Sequence, residues 1–128
     1  MSTRRLWAGR IVTAIPILFL LFDGVIKFAQ IAPVRESFAQ LGYPERLAPI
    51  IGALLLACLI LYLVPRMSVL GAILLTGYLG GAVATNVRVG NPLVSHTLFP
   101  TYVALLLWGG LWLRDDRLRA LIPLRSQP

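Results

Sequence analysis

The sequence predicts an all-α integral membrane bundle of four helices with both termini in the cytoplasm. Three observations carry that prediction. Hydrophobic residues make up 58% of the 128-residue chain and charged residues 13%, against roughly 25% charged in soluble domains. A single domain of this length has too small a core to hide so many Leu, Ile, Val and Ala side chains from water, whereas a bilayer can. The apolar residues fall into four runs parted by turn signals, and the arginines sit between those runs and at the chain ends. That distribution excludes nucleic acid as the partner of the +7 net charge and points to the lipid bilayer.

About 20 apolar residues make a spanning helix. The first span is expected from about Ile11 to Ile31, closed by Pro33. No small-x-small cleavage site follows it, so it reads as a span and not as a signal peptide. The second runs from about Leu47 to Val64 and stops at Pro65. The third covers about Val69 to Thr85 and the fourth about Thr97 to Leu113. These last two are short and should stand nearly upright.

The connections suit a compact bundle. "PRMS" at Pro65–Ser68 is a tight turn, and Gly90, Asn91 and Pro92 mark the turn between the last two spans. In the longer first loop, "ESFAQLG" reads as a short interfacial helix that turns Phe38 and Leu41 to the lipid and ends at Gly42. The tail "LRDDRLRALIPLR" fits an amphipathic surface stretch and a solvated charged end equally well.

Arginine placement sets the orientation. Arg4, Arg5, Arg10, Arg66, Arg114, Arg117, Arg119 and Arg125 fall on one side, against Arg35, Arg46 and Arg88 on the other. The first set marks the cytoplasmic side.

In the third span, "GAILLTGYLGGAVAT", Gly77 and Gly81 form a GxxxG and Gly80 with Ala84 repeats it out of phase. Small residues at this spacing let helix backbones approach. This helix is therefore expected at the packing centre, against helices of its own chain in preference to a second copy, with the oligomeric state left open. Cys58 stands alone in an apolar run and reads as a small hydrophobe. With one His and no CxxC, no metal site is expected.

Asp23 and Lys27 interrupt the first span. A charge at mid-bilayer costs about 2.5–3.5 kcal/mol on insertion scales. Four residues apart, the two share a helix face, and Gln30 shares it seven residues on. Asp23 lies roughly 18 Å along a path of about 30 Å, in the outer half of the membrane. Asn86, Arg88 and His96 come to the same level from the ends of the last two spans. Asp23, Lys27, Gln30, Asn86, Arg88 and His96 thus form a candidate polar pocket opening outward. The alternative is a purely structural clamp of Asp23 with Lys27 or Arg88. His96 suits either a proton shuttle or an interfacial hydrogen bond. Trp7, Trp108, Trp112 and Tyr62 read as aromatic-belt anchors. Tyr78 and Tyr102 lie deeper and suit a pocket wall.

"LFLLFDGVIKF", "LGYP", "LYLVPRMSVLGAILLTGYLGGAVATNVRVG" and "HTLFPTYVALLLWGGLWLRD" resemble the DoxX-like family of small bacterial membrane proteins. The likeness runs from about Ile11 to Leu124, and the third span with its Arg-x-Gly exit is its most specific part. It implies a four-helix bundle in the bacterial inner membrane. The wider group includes a quinone-linked thiosulfate oxidoreductase subunit and membrane partners of thiol-redox and superoxide-detoxifying proteins. Asp23, Lys27, Arg88 and His96 carry over residue by residue. Relatives often have an acidic residue where this chain has Leu55 and a His where it has Asn86, so half of a proton or redox site would be missing here. Three functional readings follow from the likeness and the residues together. The chain is a redox-associated subunit handling a quinone-like or other small ligand, a non-catalytic accessory subunit docking a larger membrane or redox complex, or a binder of lipid or hydrophobic ligands, comparable in architecture to sterol-isomerase-like four-helix proteins. No haem His pair, Fe–S Cys set, nucleotide loop or redox dithiol is encoded, so any electrons would travel on a bound cofactor or a partner.

Overall fold

The structure is a computed structural model describing residues 3–29 and 31–125, with the side chains of Glu45 and His96 outside that description. All regular elements among the described residues are helical: α1 (Thr3–Ala29), α2 (Ala32–Leu41), α3 (Ala48–Leu63), α4 (Ser68–Arg88), α5 (Phe99–Arg114) and α6 (Asp116–Leu121). Three stretches are long and apolar enough to cross a membrane: Thr3–Ala29, Pro65–Arg88 and Leu93–Arg114. The second expected span is the shorter apolar helix α3, whose 16 residues rise about 24 Å.

Local chemistry sets the boundaries. α1 continues through Pro16, which is buried against neighbouring helices, as membrane helices tolerate. Ile31 is extended and is the N-cap of α2, which carries Pro33 in its first turn, where a missing N–H is tolerated. Gly42 ends α2 at φ +79°, a conformation that favours glycine. Its N–H donates to Ala39 O at 3.1 Å and the next, of Tyr43, to Phe38 O at 2.9 Å. Pro65 ends α3, and a single 3₁₀ turn over Pro65–Met67 leads into α4. One π-helical turn over Leu93–Thr97 precedes α5. Asp115 then accepts from Arg117 N–H at 2.9 Å, starting α6.

α1 packs between α3 and α5, α4 packs between the same two helices, and α1 and α4 face each other across the diagonal. The start of α1, the end of α5 with α6, and the α3–α4 turn lie at one end of the bundle, called the termini end. α2 and the α4–α5 loop lie at the far end. Leu55, Leu59, Leu75, Leu107 and Leu111 fill the core below the cavity end, with Leu20 above them. Outside, Leu18 is 66% exposed and Phe22 65%, an apolar surface suited to lipid.

Four sequence expectations are corrected here. Gly77, Gly80 and Gly81 are not points of close approach, because a Cβ built at each meets nothing within 4 Å. Together with Ala84 they lie on the exposed side of α4. Spacing allows helices to approach but does not turn that stripe toward one. The close contacts are at isolated glycines: a Cβ at Gly52 would lie 2.9 Å from Gly24 O, one at Gly9 would lie 3.0 Å from Gly110 O, and one at Gly71 would run into the Tyr62 backbone. Phe38 does not face lipid. It is buried with Val34 and Ala48 because α2 folds back onto the start of α3. Tyr62 is no belt residue, being 2% exposed and donating to Leu107 O at 2.6 Å. Arg114, expected in the charged tail, turns back to donate to Tyr62 Oη at 3.2 Å. Of the two readings of the tail, the short helix α6, which sets Leu118 into the core, fits the amphipathic one.

Candidate functional site

The sequence places an acid and a base four residues apart on α1, and the helix brings them together. Lys27 Nζ donates to Asp23 Oδ2 at 2.6 Å, with the Lys27 side chain 12% exposed and Asp23 30%. The Lys27 stem lies close to Gly52, where a Cβ would come within 3.0 Å of its own Cβ. Glycine at this position lets the lysine lie along α3 and keep its ammonium on the carboxylate.

The pair borders a cavity of about 440 Å³ in the far half of the bundle. Its wall is built from the second half of α1, the first half of α3, the second half of α4 and the first turns of α5, with α2 and Tyr43 across the far end. Leu20, Phe38, Ile51, Leu79 and Val103 make most of the surface apolar. Asp23, Lys27, Tyr43, Tyr78, Thr85 and Asn86 supply polar atoms.

Several of those atoms are already engaged. Thr85 Oγ1 donates to Gly81 O at 2.8 Å, so the 2.8 Å bond between Tyr43 and Thr85 takes its proton from Tyr43. Asn86 Nδ2 donates to Ala82 O at 2.8 Å and Asn86 Oδ1 accepts from Asn91 Nδ2 at 2.6 Å. Asn86 thus ties the end of α4 to the following turn, where Gly90 has φ +74°. Asp23 Oδ1 and the Tyr78 hydroxyl have no hydrogen-bond partner among the described residues.

Arg88 goes elsewhere. Its guanidinium donates to Leu41 O and rests against Gly42. It caps the C-terminal carbonyls of α2, where a cation is favoured, and stands outside the cavity wall. The expected Asp23–Arg88 contact is therefore not formed, because Arg88 leaves α4 beyond the level of Asp23 and meets α2 first. Gln30 and the His96 side chain lie outside the described residues. Tyr78 lines the cavity. Tyr102 does not, donating to Val94 O at 3.0 Å instead. Leu55 is fully buried in the core. Among the described residues no group of three or more His, Cys, Asp or Glu side chains gathers.

The sequence reading missed Tyr43. Its signal was the "LGYP" string itself: a helix-ending glycine followed by an aromatic donor at the far end of the bundle. α2 crosses the far end of the cavity. It is fastened to α4 there through Arg88–Leu41 and Tyr43–Thr85.

The profile of the DoxX-like family matches residues 11–110. No curated protein and no solved structure matches. That family match runs from within α1, through α3 and α4, to Gly110 in α5, and with the three long apolar stretches it makes the chain a multi-pass membrane protein belonging to the DoxX-like family.

Proposed function

We propose that the chain is a four-span protein of the bacterial inner membrane, both termini cytoplasmic, that binds a small and mainly apolar ligand in the far-half cavity. The observation that carries this reading is the Asp23–Lys27 pair in the wall of an otherwise apolar cavity of about 440 Å³. Ligand pockets are typically about 300–1,000 Å³, apolar, with a few placed polar groups. Lys27 holds Asp23 through one oxygen and leaves the other to accept a hydrogen bond. Tyr78 offers a donor on the opposite wall. A ligand with a hydroxyl or carbonyl at one end and a ring or short chain at the other meets both demands. A quinone-like molecule has this form, and in a redox-associated role it would bring its own electron chemistry.

The reading is tested by purifying the protein in a mild detergent, extracting it with organic solvent and identifying the small molecules by mass spectrometry. An amphiphile retained near one per chain, and reduced at least tenfold in Asp23→Ala, supports it. Extracts holding bulk lipid alone, identical in the two proteins, would favour the accessory-subunit reading instead.

A further inference from the structure

We propose that this ligand reaches the cavity sideways from the bilayer, through the seam between α3 and α4, and is therefore a membrane-dissolved, uncharged amphiphile and not a water-borne solute. The inference rests on the cavity being a ligand site. It comes from asking where each seam of the helix ring is sealed. The α1–α3 seam is closed where Gly52 meets Gly24. The α1–α5 seam is closed by Gly9 against Gly110 and, at cavity level, by the Phe19–Phe99 edge contact at 5.2 Å. The α4–α5 seam is tied on the termini side of the cavity by Trp108 Nε1 donating to Thr76 Oγ1 at 2.7 Å, and farther out the turn Leu93–Thr97 ahead of α5 packs on α4. The far end carries α2.

The fourth seam behaves differently along its length. Near the termini, Gly71 of α4 presses on the backbone of Tyr62. Toward the far end the two helices part. Gly77 and Gly81 line the cavity, yet a side chain at either would meet nothing within 4 Å. Across from them Leu54 of α3 also lines the cavity while 56% exposed. Phe19 and Phe99 also line the cavity while 40% and 41% exposed, but their rings meet edge to face. Leu54 and the two glycines are at once cavity wall and outer surface, with nothing within 4 Å of a Cβ at either glycine, and they mark the mouth. On α4, Gly81 lies about 80° round the helix from Gly71, at the outer edge of the flank toward α3, Gly77 faces outward beyond it, and Thr76 marks the opposite flank, toward α5. The lips are glycine and leucine, with no ionisable group, and face the level where a bilayer holds its hydrocarbon. An ion or sugar would have to shed its water to pass. A neutral amphiphile already in the lipid would not.

Cysteine reactivity in vesicles decides the matter. The protein with Cys58→Ala and Ala82→Cys is reconstituted in phosphatidylethanolamine and phosphatidylglycerol. Its thiol is offered N-pyrenylmaleimide dissolved in the bilayer, or water-borne sulfonatoethyl methanethiosulfonate on both sides. Each rate is normalised to a reference cysteine: Leu18→Cys for the first reagent and Gln40→Cys for the second. The expected normalised rate is at least tenfold higher for the bilayer reagent. Gly77→Leu with Gly81→Leu should lower it at least fivefold, and Leu54→Ala should raise it. The reagent comparison stands without the glycine variants, should these fail to assemble. Faster labelling by the sulfonate reagent would overturn the lateral route and leave the cavity standing. Failure of both reagents at Ala82→Cys, with the reference positions reacting, would overturn the route and the cavity together.

Discussion

Tyr43 and Thr85 share a 2.8 Å hydrogen bond across the far end of the bundle, joining the second residue after α2 to the last turn of α4. With Arg88 on Leu41 O it fastens α2 over the cavity. A neutral hydrogen bond contributes about 0.5–1.5 kcal/mol. Tyr43→Phe should cost that much in thermal unfolding in detergent, because Thr85 keeps its bond to Gly81 O and is not orphaned. Arg88→Ala should increase amide exchange of α2 while leaving α5 unchanged.

Asp23 and Arg88 do not meet, so their effects should add. In a double-mutant cycle of Asp23→Asn and Arg88→Ala, the coupling should stay within about 0.5 kcal/mol. Lys27 is the true partner. Lys27→Met should destabilise by roughly 1–3 kcal/mol, as expected when a charged hydrogen bond is lost and its acceptor stays half-buried. Adding Asp23→Asn should recover part of that loss. A rescue of Arg88→Ala by Asp23→Asn would contradict the geometry.

The glycines divide by what lies opposite them. Gly52→Leu and Gly71→Leu should each destabilise by at least about 1–3 kcal/mol, typical of overpacking, since backbone stands where the side chain would go. Gly77→Leu and Gly81→Leu should fold and melt like wild type. Thermal unfolding of the four purified variants checks the division.

Tyr62→Phe removes the donor to Leu107 O and the acceptor of Arg114. Both are left inside the termini end. A loss of roughly 1–3 kcal/mol is expected, with the far-half cavity and its ligand occupancy unaffected.

These divisions show what could be read from residues alone. The Asp23–Lys27 pair was legible because both groups sit on one helix, and an i,i+4 contact needs no knowledge of tertiary structure. Helix ends were legible at Gly42 and Pro65, where backbone chemistry is local, whereas Pro33 sits in the first turn of α2 and does not itself end α1. The facing of α3 was not. "APIIGALLLACLILYL" is apolar all round, so nothing in it says that Tyr62 points inward. The GxxxG of α4 misled for a related reason. Small residues permit a close approach, but which side of α4 is approached depends on α3 and α5. Phe38 and Arg88 depend in the same way on where α2 comes to lie.

Topology depends on α3. Four spans leave the termini on one side, whereas a 16-residue helix that does not cross would put them on opposite sides. In a Cys58→Ala background, Thr3→Cys and Leu124→Cys should label from the cytoplasm and Gln40→Cys from the opposite side, as the arginine distribution requires. Opposite labelling of Thr3→Cys and Leu124→Cys would remove α3 from the count of spans.

The central claim is that the cavity beside Asp23 and Lys27 is occupied by a small molecule. Native mass spectrometry of the intact protein released from mild detergent, beside Ala82→Trp, tests it most directly. Ala82 lines the cavity on the α4 wall, so an indole there takes up cavity volume while Asp23 and Lys27 are kept. Wild type should carry a discrete mass adduct of one small amphiphile, and Ala82→Trp should lose it while melting within a few degrees of wild type. An adduct of equal occupancy in both proteins, or bare wild-type chains under conditions that preserve bound lipid, would contradict the account.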